Sequence, residues 1–189
     1  MSGGNVMTAR DQSGPVSAFN LAELYDSHAS GLYHYLARRV GPHVADDLVA
    51  DAFLAVWEQR HRFDPARASP KAWLYGVATT LVRQHVRREG RRLRAWAKEG
   101  GRGVPSGDFG DRVAESTDAG VLAGRAADAL AELRAEERDV LLLVAWAGLG
   151  PSEIAEVLDI PVVTVRTRLH RARTRVRTAM TVKVGTNHV

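Results

Sequence analysis

Apolar residues along this chain recur at spacings of three and four rather than two. Beyond Phe19, the residues Leu21, Leu24, Tyr25, Leu32, Tyr35 and Leu36 form one stripe, which predicts an amphipathic helix. Gly41-Pro42 interrupts it. A second helix is predicted from about Ala45 to Arg60, with Leu48, Val49, Ala52, Phe53, Val56 and Trp57 as its apolar positions. The segment Arg62 to Ser69 (RFDPARAS) reads as a turn-rich loop. Ser69-Pro70 then pairs a capping hydroxyl with a first-turn proline, so a third helix starts there. It carries Trp73, Leu74, Val77, Ala78, Leu81 and Val82 and ends in an arginine-rich stretch.

Between Lys98 and Gly120 the periodicity vanishes. Five of the eleven residues from Gly100 to Gly110 are glycine, which predicts a flexible linker between two domains. Helical spacing resumes at Val121 with Leu122, Ala126, Ala129, Leu130 and Leu133. Further helices are predicted over about Glu136 to Ala147, Pro151 to Leu158, and Val162 to Thr178. No stretch alternates long enough for a strand. The chain therefore reads as all-α, in two small helical domains: 18–96 and 121–180, joined by a linker over 97–120. Residues 1–17 are small and polar and read as a disordered tail, with a second short tail over 181–189.

Composition narrows the chemistry. The 189 residues are 45% hydrophobic, enough for packed cores, and carry a net charge of +4. Only Lys71, Lys98 and Lys183 are lysine among the 26 basic residues, so the positive charge is nearly all guanidinium. Guanidinium groups bind phosphate and guanine in a bidentate way that ammonium does not, although a GC-rich genome produces the same bias. With no cysteine there is no disulfide framework and no thiolate metal site. The longest apolar run, Val140 to Ala147, is far short of the roughly 20 residues that span a bilayer, and the N-terminus lacks a signal-like apolar core. A cytoplasmic protein is expected.

The segment Gly150 to Arg177 (GPSEIAEVLDIPVVTVRTRLHRARTRVR) carries the strongest signal. Gly150, Pro151 and Glu153 suit the N-cap, N1 and N3 positions of a short helix. Ile154, Ala155, Val157 and Leu158 give that helix an apolar face, and the small Ala155 allows a close crossing. Asp159-Ile160-Pro161 supplies the turn, with Asp able to take a left-handed backbone and Ile160 able to plug the gap between helices. The second helix packs through Val162, Val165, Leu169 and Val176. Its other faces hold Arg166, Arg168, Arg171, Arg173, Arg175 and Arg177, with no acid from Val162 to Val182. Such guanidiniums repel one another unless a counter-charge is present, and a helix-turn-helix in the DNA major groove meets one.

Three stretches in order, ADDLVADAFLAVW (45–57), WLYGVA (73–78) running into arginines, and EERDVLLLVAWAGLGPSEIAEVLDIPVVTVRTRLHRARTRVR (136–177), resemble an extracytoplasmic-function (ECF) sigma factor of the sigma-70 family. The resemblance spans about Phe19 to Arg94 and Val121 to Arg177. It implies a sigma region 2-like bundle of three to four helices and a sigma region 4-like helix-turn-helix. The implied function is directing core RNA polymerase to promoters at the −10 and −35 elements and initiating transcription, under the control of an anti-sigma factor.

The resemblance also distributes roles. Asp46, Asp47, Leu48, Asp51, Phe53 and Trp57 would meet the polymerase β′ clamp, where carboxylates suit a basic partner. The β flap is the second implied polymerase contact. Trp73, Tyr75, Arg83, Arg87, Arg88, Arg91 and Arg92 would supply rings and cations to the −10 element, where a base is extruded at a cost of a few kcal/mol. For Leu48, Val49, Phe53, Trp73 and Leu74, core packing is the main expected role. Val163, Thr164, Arg166, Thr167, His170, Arg171 and Arg173 would read the −35 element. The chain departs from the common family pattern at Thr80, Gln84, Asp159 and Val163, which bears on promoter melting, turn stability and −35 preference.

Other classes fare worse. A regulator sharing the helix-turn-helix would need a different N-terminal half, and no phospho-acceptor receiver pattern precedes the linker. No catalytic, cofactor or metal site is expected. The seven histidines lack metal-ligand spacing with a carboxylate, and GGRG at Gly100 lacks the Lys-Ser/Thr of a phosphate loop. An RNA-binding module lacks its aromatic sheet platform.

Overall fold

The structure, a computed structural model, describes residues 20–98 and 118–182. These form seven α-helices: α1 (Leu21–Val40), α2 (Pro42–Glu58), α3 (Pro70–Lys98), α4 (Asp118–Ala131), α5 (Ala135–Ala145), α6 (Pro151–Leu158) and α7 (Val162–Val182). A 3-10 turn at Arg60–Arg62 follows α2, and no strand occurs among the described residues. The all-α expectation therefore holds. The tail over 1–17, most of the expected linker and the last seven residues lie outside the described residues.

Local chemistry sets the helix ends. Asn20 caps α1, its Oδ1 accepting from the backbone N–H of Ala22 and Glu23 at 3.1 and 3.2 Å. Gly41, at φ 82°, turns the chain so sharply that Pro42 begins α2 at once. The helix thus starts three residues before the apolar pattern suggested. Ser69 caps α3 as its sequence predicts, accepting from Ala72 N–H at 3.2 Å. The resulting helix of 29 residues is about 44 Å long at 1.5 Å per residue. Arg138 of α5 donates to the carbonyls of Leu130, Ala131 and Leu133, satisfying acceptors left open at the end of α4.

The stripes read from the sequence become the core. Leu32, Leu36, Val56, Leu74 and Val82 of α1–α3 are buried, as are Val140, Leu143, Ile154, Val165 and Ala172 of α5–α7. Each large aliphatic among them contributes about 1.5–3 kcal/mol by leaving water. All of these residues but Ala172 join into one cluster that spans both halves. The halves are packed against each other, which the pattern of a linker between separate domains did not anticipate.

A directional polar chain threads the first half. Thr79 Oγ1 donates to Tyr75 O at 2.7 Å, so Tyr35 donates to Thr79 at 2.7 Å and in turn accepts from Arg39 Nη1 at 2.7 Å. Burial is the largest influence on the Tyr35 phenol and pushes its pKa up, so it stays a donor.

The helix-turn-helix follows the expected chemistry. Gly150 N–H donates to Glu153 Oε2 at 2.9 Å, the half of a capping box open to a residue without a side chain. Asp159 takes the left-handed conformation at φ 51°, ψ 53°. Ile160 is half-buried against the core, and its N–H donates to Ala155 O at 3.0 Å. Because a β-branched residue resists positive φ, Asp159→Val should destabilise the chain by about 1–2 kcal/mol, lowering Tm by a few degrees. Asp159→Gly should leave Tm unchanged or raised; thermal unfolding followed by circular dichroism checks both.

Candidate nucleic-acid interface

Helix α7 sorts its residues by face. Val165, Leu169 and Ala172 are buried against the module, while Arg166, Thr167, His170, Arg171 and Arg173 are exposed. Val163 is 68% exposed, in keeping with an apolar side chain offered to a partner, whereas Thr164 is half-buried. Positions 163, 166, 167 and 170 share one face by their three- and four-residue spacing. Thr167 Oγ1 donates back to Val163 O at 2.9 Å. At the far end Arg175 is drawn to the buried Glu137, with Nη1–Oε2 at 2.5 Å. That arginine serves the fold; Val163, Arg166, Thr167, His170, Arg171 and Arg173, exposed nearer the N-terminus of α7, form the candidate reading surface.

Helix α3 divides its candidates differently. Arg87, Arg88, Arg91 and Arg92 are exposed along its arginine-rich end, and Arg92 lies a loose 3.8 Å from Glu89. Trp73 is half-buried and stacked on Phe63, ring centroids 5.2 Å apart. Tyr75 is buried edge-on to Tyr35, so its ring belongs to the core in this conformation. Arg83 is half-buried and donates through Nε to Asp139 Oδ2 at 2.6 Å. Of the departures noted in the sequence, Thr80 and Gln84 are both exposed, and Thr80 Oγ1 bonds back to Gly76 O at 3.1 Å.

A third surface lies on α2. Asp46, Asp47 and Asp51 are exposed there, whereas Leu48 and Phe53 are buried and act as its anchor. Trp57 is 43% exposed with the Arg60 guanidinium 4.0 Å from its ring centroid. The structure adds Leu54, 55% exposed, to this face. Sequence reasoning did not single out Leu54; helical phase was the signal for it, since it stands three and seven residues from Asp51 and Asp47. Carboxylates around two exposed apolar side chains make a surface suited to a basic protein partner.

Comparison with known proteins gives the same partition. The family models Sigma-70 region 2 and Sigma-70, region 4 match residues 24–92 and 124–176. The ECF RNA polymerase sigma factor SigL of Mycobacterium tuberculosis is 32% identical over 150 residues, covering 79% of this chain and 82% of the relative. SigE of Mycolicibacterium smegmatis is 31% identical over 158 residues, covering 82% of this chain and 59% of that longer protein. Among solved structures, the sigma factor RpoE in complex with the anti-sigma factor NepR from Bartonella quintana shares the fold with a TM-score of 0.65 at 20% identity, covering 85% of this chain and 96% of that one. CnrH in complex with the cytosolic domain of CnrY gives 0.60 at 25% identity, covering 86% and 88%. The chain belongs to the ECF group of the sigma-70 family, whose members are RNA polymerase sigma factors.

No described helix is long and apolar enough to cross a membrane. If the exposed arginines of α7 meet DNA, they divide into two kinds by experiment. Arg173→Ala, at a phosphate, should weaken binding evenly across sequences and lower the slope of log affinity against log salt by about 0.9. Arg166→Ala, at a base edge, should cost roughly 1–3 kcal/mol and relax specificity at one base pair, read by a selection of randomised −35 sequences.

Proposed function

We propose that this sigma factor divides promoter recognition between its two helical modules while α2 holds core polymerase. The observation that carries this is the segregation of three unlike surfaces: acidic and apolar on α2, arginine-rich on α3, and arginine- and threonine-bearing on α7. Asp46, Asp47, Asp51, Leu54 and Trp57 contact the β′ clamp, with Leu48 and Phe53 fixing the helix beneath them. The exposed arginines of α3, together with the 62–69 loop and Trp73, engage the −10 element. Val163, Arg166, Thr167, His170 and Arg171 read the −35 element from the major groove, and the module that bears them docks on the β flap.

The solved neighbour RpoE is in complex with the anti-sigma factor NepR, and CnrH with the cytosolic domain of CnrY, which supports control of this chain by an anti-sigma factor. It would act in the cytoplasm, where polymerase and promoter are found. A role as an initiation factor rather than an enzyme agrees with the family.

Reconstitution tests the reading. Core polymerase with this chain should start transcripts at specific positions on genomic DNA, and their upstream sequences should share −10 and −35 elements. Trp57→Ala and Asp51→Lys should each weaken core binding by about 2 kcal/mol or more, roughly thirtyfold, without changing the α-helical spectrum. A chain that never comigrates with core polymerase overturns the proposal.

A further inference from the structure

A cavity of about 340 Å³ opens where α1, α3, α4 and α5 meet. Packed interiors leave few voids larger than one water molecule, whereas small-molecule sites begin at about 300 Å³. Two kinds of side chain line it. Val82, Val86, Leu130, Leu142 and Trp146 supply apolar walls. Arg38, Arg39, Arg83, Arg87 and Arg138 bring five guanidiniums to the same space. Val86 and Trp146 remain 49% and 39% exposed although both are large and apolar.

The counter-charge falls short of the cations. Asp139, wholly buried, pairs with both Arg39 and Arg83. Glu136 is the one carboxylate among the lining residues. Arg138 gives donors to the carbonyls of Leu130, Ala131 and Leu133. Burial pushes the Arg138 pKa down, and the Arg39 charge pushes it further the same way. Arg38 lies 3.7 Å over the Trp146 ring. Arg87 is exposed and forms no ion pair among the described residues.

We infer that this cavity binds an amphipathic organic anion, with its apolar body between Val86, Leu130, Leu142 and Trp146 and its carboxylate or phosphate head at Arg38 and Arg87. Guanidinium takes either head through paired hydrogen bonds, and an anion relieves the repulsion that crowded cations exert on one another. A neutral ligand would leave that repulsion in place, and a cation would add to it. At roughly 30 Å³ per water-sized group, a volume of 340 Å³ accepts a body of about ten carbon atoms.

Calorimetry on the free full-length chain tests this, so the outcome does not depend on the sigma-factor reading. The anionic probes are decanoate and decyl phosphate; decanol and decyltrimethylammonium carry the same body under a neutral and a cationic head. At least one anion should bind one to one with a Kd of about 100 µM or tighter and raise Tm. Decanol and decyltrimethylammonium should bind at least about tenfold more weakly. Ala127→Leu, at a half-buried lining position, fills the cavity and should weaken the anion about tenfold. Arg38→Gln and Arg87→Gln should each do the same by removing a head contact. The inference is overturned if neither anion binds, if all the probes bind alike, or if Ala127→Leu binds as the unsubstituted chain does. Should Ala127→Leu lose its helical spectrum, Arg87→Gln, at an exposed position, decides in its place.

Discussion

A carboxylate with no exposure to solvent sits between two guanidiniums supplied by the other half of the chain, and the arrangement of the whole molecule turns on it. Asp139 is carried by α5, whose neighbours Val140, Leu142 and Leu143 bury it along with themselves. An isolated carboxylate in such a place costs several kcal/mol, so it is tolerable only with Arg39 and Arg83 beside it. Burial opposes the Arg39 charge, yet Tyr35 and Asp139 together hold its pKa above the ordinary value. Through Arg39 the ion pair is continuous with Tyr35, Thr79 and the backbone of Tyr75, so the seam between modules is wired into the centre of the first one.

Much of this was legible in the sequence because it depends on short-range rules. The apolar spacing of Leu32, Tyr35 and Leu36 marks the buried side of α1, and Ser69-Pro70 marks the start of α3. Asp159 could be placed in a left-handed turn because few other residues accept one between two apolar helices. The exposed face of α7 was likewise visible as arginines and threonines at helical spacing around the buried Val165 and Leu169.

What stayed hidden joins residues far apart in the chain. Arg39 and Asp139 are separated by 100 positions, and nothing local distinguishes that aspartate from a solvated one. Tyr75 and Arg83 share the helix of Arg87 and Arg88, yet the first is core and the second is held by Asp139, because helical phase sends them inward and toward the other module. Gly76 gave no sign of its neighbour, since close approach to Val157 is a tertiary fact. Leu54 was obscured for the opposite reason: hydrophobicity alone cannot separate a core residue from an exposed one awaiting a partner.

The four tryptophans are spread with unusual economy. Trp57 stands on the acidic face of α2, Trp73 beside the 62–69 loop, Trp96 near the end of α3 and Trp146 at the seam beneath Arg38. Each indole therefore occupies a different working surface, and its emission depends on whatever cation, ring or water lies against it. The chain carries a built-in set of optical gauges: replacing three of the four tryptophans with phenylalanine would let ultraviolet fluorescence follow one surface at a time without any attached dye.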